Sequence, residues 1–471
     1  MSASTLETDY LVIGSGATAM AFVDTLLSEQ ADAQVLMVDR HHRPGGHWNE
    51  AYPFVRLHQP SEFYGVASRE LSHGHKDSDG FNAGMYGLAS GAEVLDYFDQ
   101  VMQHRFLPSG RVQWWPMSEY SAAAGGTHKL KSLINGEVRL IRVRKKVVDA
   151  THAKTAVPST HPPKYKVTAG VNCVPVNGLP GISRAHARYT VVGSGKTGMD
   201  AILWLLENEV APACIRWVMP RDPWLLNRAN FQPGIENYEH SMAGIIGQFE
   251  AMAEADSVAD LFARLEQREL LLRIDKDVQP STYRCAIVSM TELAQLRRIE
   301  DVVRLGHVRG IEPTQIVLDH GSVAADPDTL YIDCSAAAIV MPPKLPVFDG
   351  ERINLLMVRT CQPVFSAAVI AYVESHGVDA AEKNSICSVV PSPEAPIDWL
   401  RMWAVNLRNM GRWRQHAGLS EWLLQCRLNA IAVYLRGVRP DDTARLGLLQ
   451  QLGPKSAAAA ARLPALLATA A

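Results

Sequence analysis

The sequence predicts an α/β protein built from two dinucleotide-binding units, followed by a C-terminal helical segment. Two observations predict the paired units: a β-branched strand, a glycine-rich turn and an amphipathic helix follow one another twice, and a second strand follows each helix. A third observation predicts the helical segment, because the chain is rich in Trp and Leu from residue 395. The order strand, turn, helix, strand opens a Rossmann-like fold, so its repetition predicts two parallel sheets.

The first unit turns from strand to helix through Gly14, Gly16 and Ala17. In this motif the first glycine allows the tight turn, and the second lets the backbone approach a pyrophosphate at the helix start. Asp39 ends the following strand, where a carboxylate accepts hydrogen bonds from ribose hydroxyls. Together with the neighbouring Arg40, it predicts the adenosine end of FAD or NAD in this unit.

The second unit carries Gly193 and Gly195 in the turn, and then Lys196 and Thr197 at the start of the helix. We predict that Lys196 and Thr197 contact nucleotide phosphates. Gly195, Lys196 and Thr197 match the last three residues of the P-loop of nucleoside triphosphatases. Thr190, however, stands where that loop needs its first glycine. The triphosphatase interpretation is therefore rejected.

The two units differ where their second strands end. Arg221 follows the second strand of the second unit, and a guanidinium can form a bidentate pair with a 2′-phosphate. This favours NADP(H) over NAD(H), and the alternative is that Arg221 is a solvated loop residue. Gly198 holds the third position of the second glycine pattern, as Ala19 does in the first, and keeps the helix close to the strand.

Two nucleotide units in one chain suggest a flavin in the first unit, reduced by hydride from a nicotinamide in the second. We expect residues 1–185 and 346–390 to form an FAD-binding domain split by an NADP(H)-binding domain at 186–345. Residues 391–471 form the C-terminal helical segment. Its Ala-rich tail, from residue 456, is expected to be a frayed helix.

Composition excludes several classes of function. Lys+Arg number 46 and Asp+Glu 49, a net charge of −3, which leaves no overall basic surface for nucleic acid or anionic membrane. The start lacks a signal peptide, and no apolar run is long enough to span a membrane. The seven cysteines are widely spaced without a CxxC pair, and no metal-ligand spacing is found. We therefore predict a cytoplasmic protein with reduced cysteines, no metal, and neither nucleic-acid nor membrane partners.

A family resemblance is carried by Gly45-Gly46-His47-Trp48, followed by Tyr52-Pro53 and Arg56. These residues resemble the GGxW…YPxxR stretch of flavin-containing and Baeyer–Villiger monooxygenases. Residues 332–336 and 352–374 are similar to the closing strand and return segment of the two-dinucleotide-binding flavoprotein superfamily. Because the histidine-containing fingerprint of these enzymes is missing before the second glycine motif, the chain is identified as an atypical relative of class B flavin-dependent monooxygenases.

The resemblance implies an FAD- and NADPH-dependent monooxygenase that uses O2 to oxygenate a small organic molecule through a C4a-(hydro)peroxyflavin. The nicotinamide would stay bound and help exclude water from a closed pocket between the units. Two alternatives stay open: an NAD(P)H-dependent oxidoreductase that passes electrons to a quinone or redox protein, and a non-catalytic nucleotide-binding sensor. The C-terminal helices could form a lid or an interface, so a homodimer is also considered.

The resemblance also indicates individual residues near the flavin. Trp48 is expected to pack against it, with an ordinary core indole as the alternative. Arg56, His58 and Gln59 follow closely and could donate to the flavin or orient the substrate, although His58 could instead be structural.

Three more residues are implied farther along the chain. Val147 lies in the strand whose backbone meets adenine in this superfamily. Gln362 and Ser366 lie at the start of a helix whose free N–H groups would stabilise negative charge on a reduced flavin. Ser366 could also cap that helix.

Overall fold

Strands and helices alternate through the first part of the chain. The computed structural model describes residues 5–122, 127–152, 157–336, 344–377 and 379–468. The elements up to Asp149 are β1 (Leu6–Ile13), α1 (Ala17–Glu29), β2 (Val35–Val38), β3 (Gly65–Val66), β4 (Arg69–Glu70), α2 (Gly91–Val101), β5 (Val112–Trp115), β6 (Ser118–Ala122), β7 (His128–Ser132) and β8 (Val138–Asp149).

The middle part repeats the strand–turn–helix pattern and adds helices and a meander. Its elements are β9 (Lys166–Val167), β10 (Cys173–Pro175), β11 (Arg188–Val192), α3 (Lys196–Glu207), β12 (Ile215–Val218), β13 (Pro223–Asn227), α4 (Tyr238–Glu254), α5 (Val258–Gln267), β14 (Leu271–Leu272), β15 (Thr282–Val288), α6 (Met290–Leu296), β16 (Asp301–Val303), β17 (Val308–Ile311), β18 (Gln315–Leu318), β19 (Gly321–Ala324) and β20 (Thr329–Asp333).

The last part returns to the first sheet and then becomes helical. Its elements are β21 (Phe348–Asp349), β22 (Arg352–Asn354), α7 (Pro363–His376), α8 (Ala380–Ile386), α9 (Pro396–Gln415), α10 (Ala417–Gln425), α11 (Ala430–Tyr434) and α12 (Thr443–Ala468).

The first sheet has the order β21-β22-β8-β1-β2-β5. Strands β22, β8, β1, β2 and β5 run parallel, and the β6–β7 hairpin extends β8 in antiparallel fashion. Phe22 of α1 and Val369 of α7 lie in one core with Val12 of β1, so both helices cover this sheet. A β-branched strand buried among parallel neighbours is what the apolar pattern predicted.

The second sheet has the order β10-β20-β11-β12-β16, and all of its strand pairs are parallel. Strands β17, β18 and β19 form the meander beside it. Parallel sheets with crossover helices, present twice, confirm the predicted α/β fold class.

Strands β9 and β10 depart from the predicted division of the chain. Strand β10 pairs with β20 and β9 pairs with β17, so residues 166–175 share sheets with the second unit. The predicted division placed residues up to 185 in the first unit. Strand pairing instead places the crossover between Asp149 and Lys166.

A helical layer joins the middle of the chain to its C-terminal segment. Phe249 of α4, Phe262 of α5, Trp399 of α9 and Leu463 of α12 share one buried core. The prediction of a frayed Ala-rich tail is therefore wrong as far as Ala468, because small residues let α12 pack closely on its neighbours. The tail residues after Ala468 lie outside the described part of the chain. Among the described residues, no helix combines the length and apolarity needed to cross a membrane.

Candidate nucleotide-binding and catalytic cavity

Both glycine loops open into one cavity of about 1870 Å³, here called the central cavity. Gly14 and Gly16 line it from the first unit, Gly193 and Gly195 from the second, and Trp413 from α9. Pockets for drug-sized ligands span about 300–1,000 Å³. The central cavity therefore has room for more than one such ligand, between the two units and under the C-terminal helices.

The first glycine loop leaves the start of α1 uncovered. Gly14 has φ +97°, a left-handed conformation that favours glycine. Gly16 occupies the N-cap position of α1, and in the described structure no side chain caps this helix start. Gly46 packs so closely that a Cβ there would lie 2.8 Å from the Cα of Gly16. The helix start, with Ala17 as its first residue, is thus left open to an anion.

Asp39 holds the glycine loop as well as facing the cavity. The backbone N–H and the hydroxyl of Ser15 donate to its Oδ2 at 2.6 and 2.8 Å. The backbone N–H of His41 donates to Oδ1 at 2.9 Å, and His41 Nδ1 lies 2.7 Å from the same oxygen. A ribose hydroxyl would share these oxygens with Ser15 and His41. The neighbouring Arg40 lies in the cavity wall and pairs with Glu119 at 3.7 Å.

His41 connects Asp39 to the turn that carries the family resemblance. Its Nε2 contacts the Glu50 carboxylate at the end of that turn. Burial opposes the charge on the ring, but the hydrogen bond to Glu50 and the charge of Asp39 raise the pKa of His41 above its ordinary value. The chain Ser15–Asp39–His41–Glu50 therefore fixes the turn against the glycine loop.

Trp48 and Tyr52 lie in or just after this turn and line the cavity. Trp48 is part of the core, and its Nε1 donates to the Tyr64 hydroxyl at 2.8 Å. The Tyr52 hydroxyl donates to Asp200 Oδ2 at 2.6 Å, which links the first unit to α3 of the second. Burial and the charge of Asp200 raise the pKa of Tyr52 well above its ordinary value, so the hydroxyl keeps the proton that it donates.

Arg56, His58 and Gln59, predicted as catalytic residues, lie together in the cavity wall. Arg56 is exposed, and its guanidinium donates to a backbone carbonyl at 3.1 Å. Burial, with the charges of Lys196 and Arg228, lowers the pKa of His58 well below its ordinary value. The His58 ring is thus neutral near pH 7. Arg228 is fully buried and donates to the His58 carbonyl at 3.1 Å, so it positions this loop.

The second glycine loop is packed more tightly than the first. Gly193 has φ +125°, and Trp217 Nε1 donates to its carbonyl at 2.8 Å. A Cβ on Gly198 would lie 2.3 Å from that same carbonyl oxygen. Gly198 therefore lets the helix start lie close to the strand end, and it lies outside the cavity wall. Gly195 precedes α3 without a side-chain cap in the described structure, so this helix start is also open to an anion.

Lys196 and Thr197 line the cavity at the start of α3. The Lys196 ammonium contacts Asp200 one helical turn later, and Asp200 also accepts the hydrogen bond from Tyr52. Lys196 therefore already has an anionic partner. A nucleotide phosphate at this helix start would compete with Asp200 for its charge.

Arg221 lies in the cavity wall beside the second glycine loop. Its carbonyl accepts a hydrogen bond from Ser194 Oγ at 2.7 Å, and its guanidinium pairs with Glu394 at 3.2 Å. The neighbouring Asp222 is buried and pairs with Arg304 at 3.0 Å. The negative charge of Asp222 is thus paired with Arg304 and not with Arg221, whose own partner is Glu394.

Val147, Gln362 and Ser366 have different surroundings. Val147 is buried between Leu11 and Arg352 in the first sheet, away from the cavity wall. Gln362 lines the cavity as the residue that precedes α7. Ser366 lies one turn inside α7, where its Oγ accepts from the backbone N–H of Arg359 at 3.1 Å. The prediction that Ser366 caps the helix is therefore wrong, because the capping position belongs to Gln362.

Two features of the cavity wall carried no sequence signal. Arg359 faces the cavity, and its guanidinium has no hydrogen-bond or ion-pair partner among the described residues; burial lowers its pKa to about 10. Cys285 and Cys361, both in the wall, form a disulfide although 76 residues separate them. The prediction that all cysteines are reduced is wrong for this pair. Neither feature follows a local pattern, because each depends on how distant segments meet.

The chain has close relatives in mycobacteria. It is 50% identical over 433 residues to uncharacterized proteins of Mycobacterium tuberculosis and Mycobacterium bovis, a match that covers 91% of this chain and 79% of each relative. No known family profile matches the sequence.

Solved structures of other proteins share the fold. The crystal structure of OTEMO in an FAD-bound form superposes with a TM-score of 0.51 at 14% identity, over 79% of this chain and 84% of that one. The open structure of cyclohexanone monooxygenase gives a TM-score of 0.48 at 16% identity, over 79% and 89% of the two chains. At such low identity the likeness to OTEMO establishes the fold alone.

Proposed function

The chain belongs to the same family as these mycobacterial proteins, and on that premise we propose that it is an FAD- and NADPH-dependent monooxygenase acting on a small organic substrate. The observation that carries the proposal is the central cavity, which is lined by both glycine loops and by the GGHW turn between them. Two open helix starts facing one cavity fit two dinucleotides whose redox ends meet.

The first unit would hold FAD. The open start of α1 fits its pyrophosphate, and Asp39 lies where the ribose of the adenosine would be bound. Trp48 and Gln362 also line the cavity and would lie beside the flavin ring. The FAD-bound structure of OTEMO, which shares the fold, supports the same cofactor. When bound, the flavin would accept a hydride from NADPH and pass electrons to O2.

The second unit would hold NADPH. The open start of α3 fits its pyrophosphate. Arg221 could pair with the 2′-phosphate if its ion pair with Glu394 is broken. Asp222 does not oppose this role, because its charge is paired with Arg304.

The remaining wall residues would exclude water and orient the substrate. The His58 ring is neutral, and Arg228 holds its backbone through the hydrogen bond to the His58 carbonyl. The ring can therefore donate one hydrogen bond and accept another without adding a charge. Arg56 and Gln59 lie beside it and supply further donors. Trp413 and Trp403 close the cavity from α9, and such apolar cover strengthens polar contacts inside it.

The test is an anaerobic absorbance spectrum of the purified full chain, followed by NADPH and then by O2. A monooxygenase should show flavin bleaching by NADPH and then, with O2, a transient band that differs from both oxidised and reduced flavin. Bleaching without that band, and faster electron transfer to a quinone than to O2, would replace the proposal with an oxidoreductase. Nucleotide binding without bleaching would indicate a non-catalytic sensor.

A further inference from the structure

The disulfide between Cys285 and Cys361 crosses from one unit to the other. Cys285 lies in β15, within the middle part of the chain, and Cys361 lies just before α7, which covers the first sheet. Their Cα atoms are 6.6 Å apart, and both residues lie in the wall of the central cavity. A bond at this place ties the second unit to the return segment of the first.

The backbone at both cysteines is unusual. Cys285 has φ +56° and Cys361 has φ +49°, in the left-handed region that side chains other than glycine rarely adopt. Cys285 also lies in a bulge, because the pairing of β13 with β15 shifts register between Trp224 and Leu226. Bulges and left-handed residues redirect side chains and cluster at functional sites. The bulge in β15 and the left-handed backbone at both cysteines therefore bring the two sulfurs together.

Four of the five free cysteines among the described residues are poorly suited to thiol chemistry. Burial raises the pKa of Cys173 and of Cys426 to about 11, and it raises the pKa of Cys334 and Cys387 still further, so these groups remain thiols near pH 7. The thiolate is the reactive form in disulfide exchange. The Cys285–Cys361 pair is half-buried and lies in the cavity wall, where a small thiol can reach it.

We propose that Cys285 and Cys361 form a reversible redox staple that sets how firmly the second unit is held against α7 across the central cavity. A dithiol reductant would break the bond by exchange: its two sulfurs join in a disulfide, and Cys285 and Cys361 each take up one electron and one proton. Disulfides of cytosolic proteins are usually transient and redox-sensing or catalytic. The predicted cytoplasmic location therefore favours a reversible bond over a permanent one.

The consequence for nucleotides rests on the proposed function, whereas the staple itself does not. With the bond intact, β15 and the residues before α7 cannot separate, so a dinucleotide in the cavity should leave slowly. With the bond reduced, this part of the wall can open. A change at one site typically alters the affinity of a second site 5–150-fold. Because such changes are mostly changes in dissociation rate, we expect NADPH to dissociate roughly tenfold faster from the reduced protein.

The experiment compares the full chain after mild air oxidation with the same protein after dithiothreitol treatment and removal. Thiol titration in denaturant should give five free thiols in the oxidised form, out of seven cysteines, and seven in the reduced form. Peptide mapping should find Cys285 joined to Cys361. Hydrogen exchange in residues 282–288 and 359–366 should be slower in the oxidised form, and tryptophan fluorescence would follow NADPH dissociation.

Variants separate this bond from general effects of reduction. Cys285→Ser and Cys361→Ser should each behave like the reduced protein under both conditions. Cys214→Ser is the matched control, because Cys214 is half-buried but outside the cavity wall, and this variant should keep the full redox response.

The outcomes distinguish the staple from the proposed function. No joined peptide, or equal hydrogen exchange in the two forms, overturns the staple. A redox-dependent change in exchange in a protein that never binds NADPH keeps the staple and overturns the proposed function. Equal NADPH dissociation from both forms overturns the proposed control of the cavity.

Discussion

The two glycine loops follow one sequence pattern but are held in different ways. In the first, the Asp39 carboxylate accepts from Ser15 and connects through His41 to the GGHW turn. In the second, backbone carbonyls do this work: that of Arg221 accepts from Ser194, and that of Gly193 accepts from Trp217. The pattern thus specifies the turn, while the residue that follows the second strand, Asp39 or Arg221, decides which charge lies in the cavity wall beside it.

The largest expected effect tests the carboxylate of the first loop. In Asp39→Asn, the donors on Ser15 and His41 would meet an NH2 group or an uncharged oxygen in place of a carboxylate. Hydrogen bonds to charged groups are worth about 1.5–3 kcal/mol. We expect a loss of about 3 kcal/mol in unfolding free energy and weaker FAD binding, measured by urea unfolding and flavin fluorescence. His42→Ala, a change at an exposed neighbour, is the control. Equal stability of the two variants would contradict the role given to Asp39.

The next effect tests how tightly the second loop is packed. Gly198→Ala brings a Cβ to 2.3 Å from the Gly193 carbonyl oxygen, so the helix must move away from the strand. We expect a loss of about 2 kcal/mol and weaker NADPH binding, with FAD binding unchanged. In the first unit Ala19 already occupies the equivalent position, and Ala19→Gly should cost about 1 kcal/mol through helix propensity and the loss of a buried methyl group. If Gly198→Ala costs no more than that, the loops are packed alike.

A smaller effect tests the charge after the second strand. Arg221→Gln should weaken NADPH binding about tenfold, the equivalent of about 1.4 kcal/mol, and leave NADH binding unchanged. Isothermal titration with both nucleotides measures the ratio. Equal weakening for NADH and NADPH would mean that Arg221 acts on the loop and not on a 2′-phosphate.

The smallest effect is a dependence on pH that should belong to the first unit alone. Because the pKa of His41 is raised above 6.5 in the folded protein, its contribution is complete below about pH 6.5 and is lost as pH rises through the folded value. We expect a decline in stability of about 1 kcal/mol or less on this alkaline side. His41→Gln should remove that decline in urea unfolding between pH 6 and 9. An unchanged decline in the variant would assign it to another group.

Local rules made much of the fold predictable from sequence. The turns at Gly14 and Gly193, the helices after them and the acid at Asp39 depend on residues close together in the chain, and each was predicted in place. The C-terminal helices were predicted as well. The packing of the Ala-rich tail was not, because an alanine surface does not indicate which helix will cover it.

The site was predictable to a lesser degree, for the same physical reason. Tyr52 meets Asp200 across 148 positions, and Cys285 meets Cys361 across 76, so neither pair has a local signature. Arg359 could not be found either, because its lack of a partner among the described residues depends on the fold and leaves no mark in the sequence. The roles of Val147 and Ser366 toward the flavin cofactor, neither of which lies in the cavity wall, remain predictions of the resemblance.

The pairing of β22 with β8 also sets an order of assembly during synthesis. Arg352 pairs with Val147, so the first sheet waits for a strand made about 200 residues later, whereas the second sheet is closed by Asp333. Domains generally fold as they emerge from the ribosome, and long-range strand pairing is slow. The unit that is translated first should therefore be the last to finish folding. Until α7 arrives to cover α1, the apolar side of that helix is exposed and is the segment that a chaperone would protect.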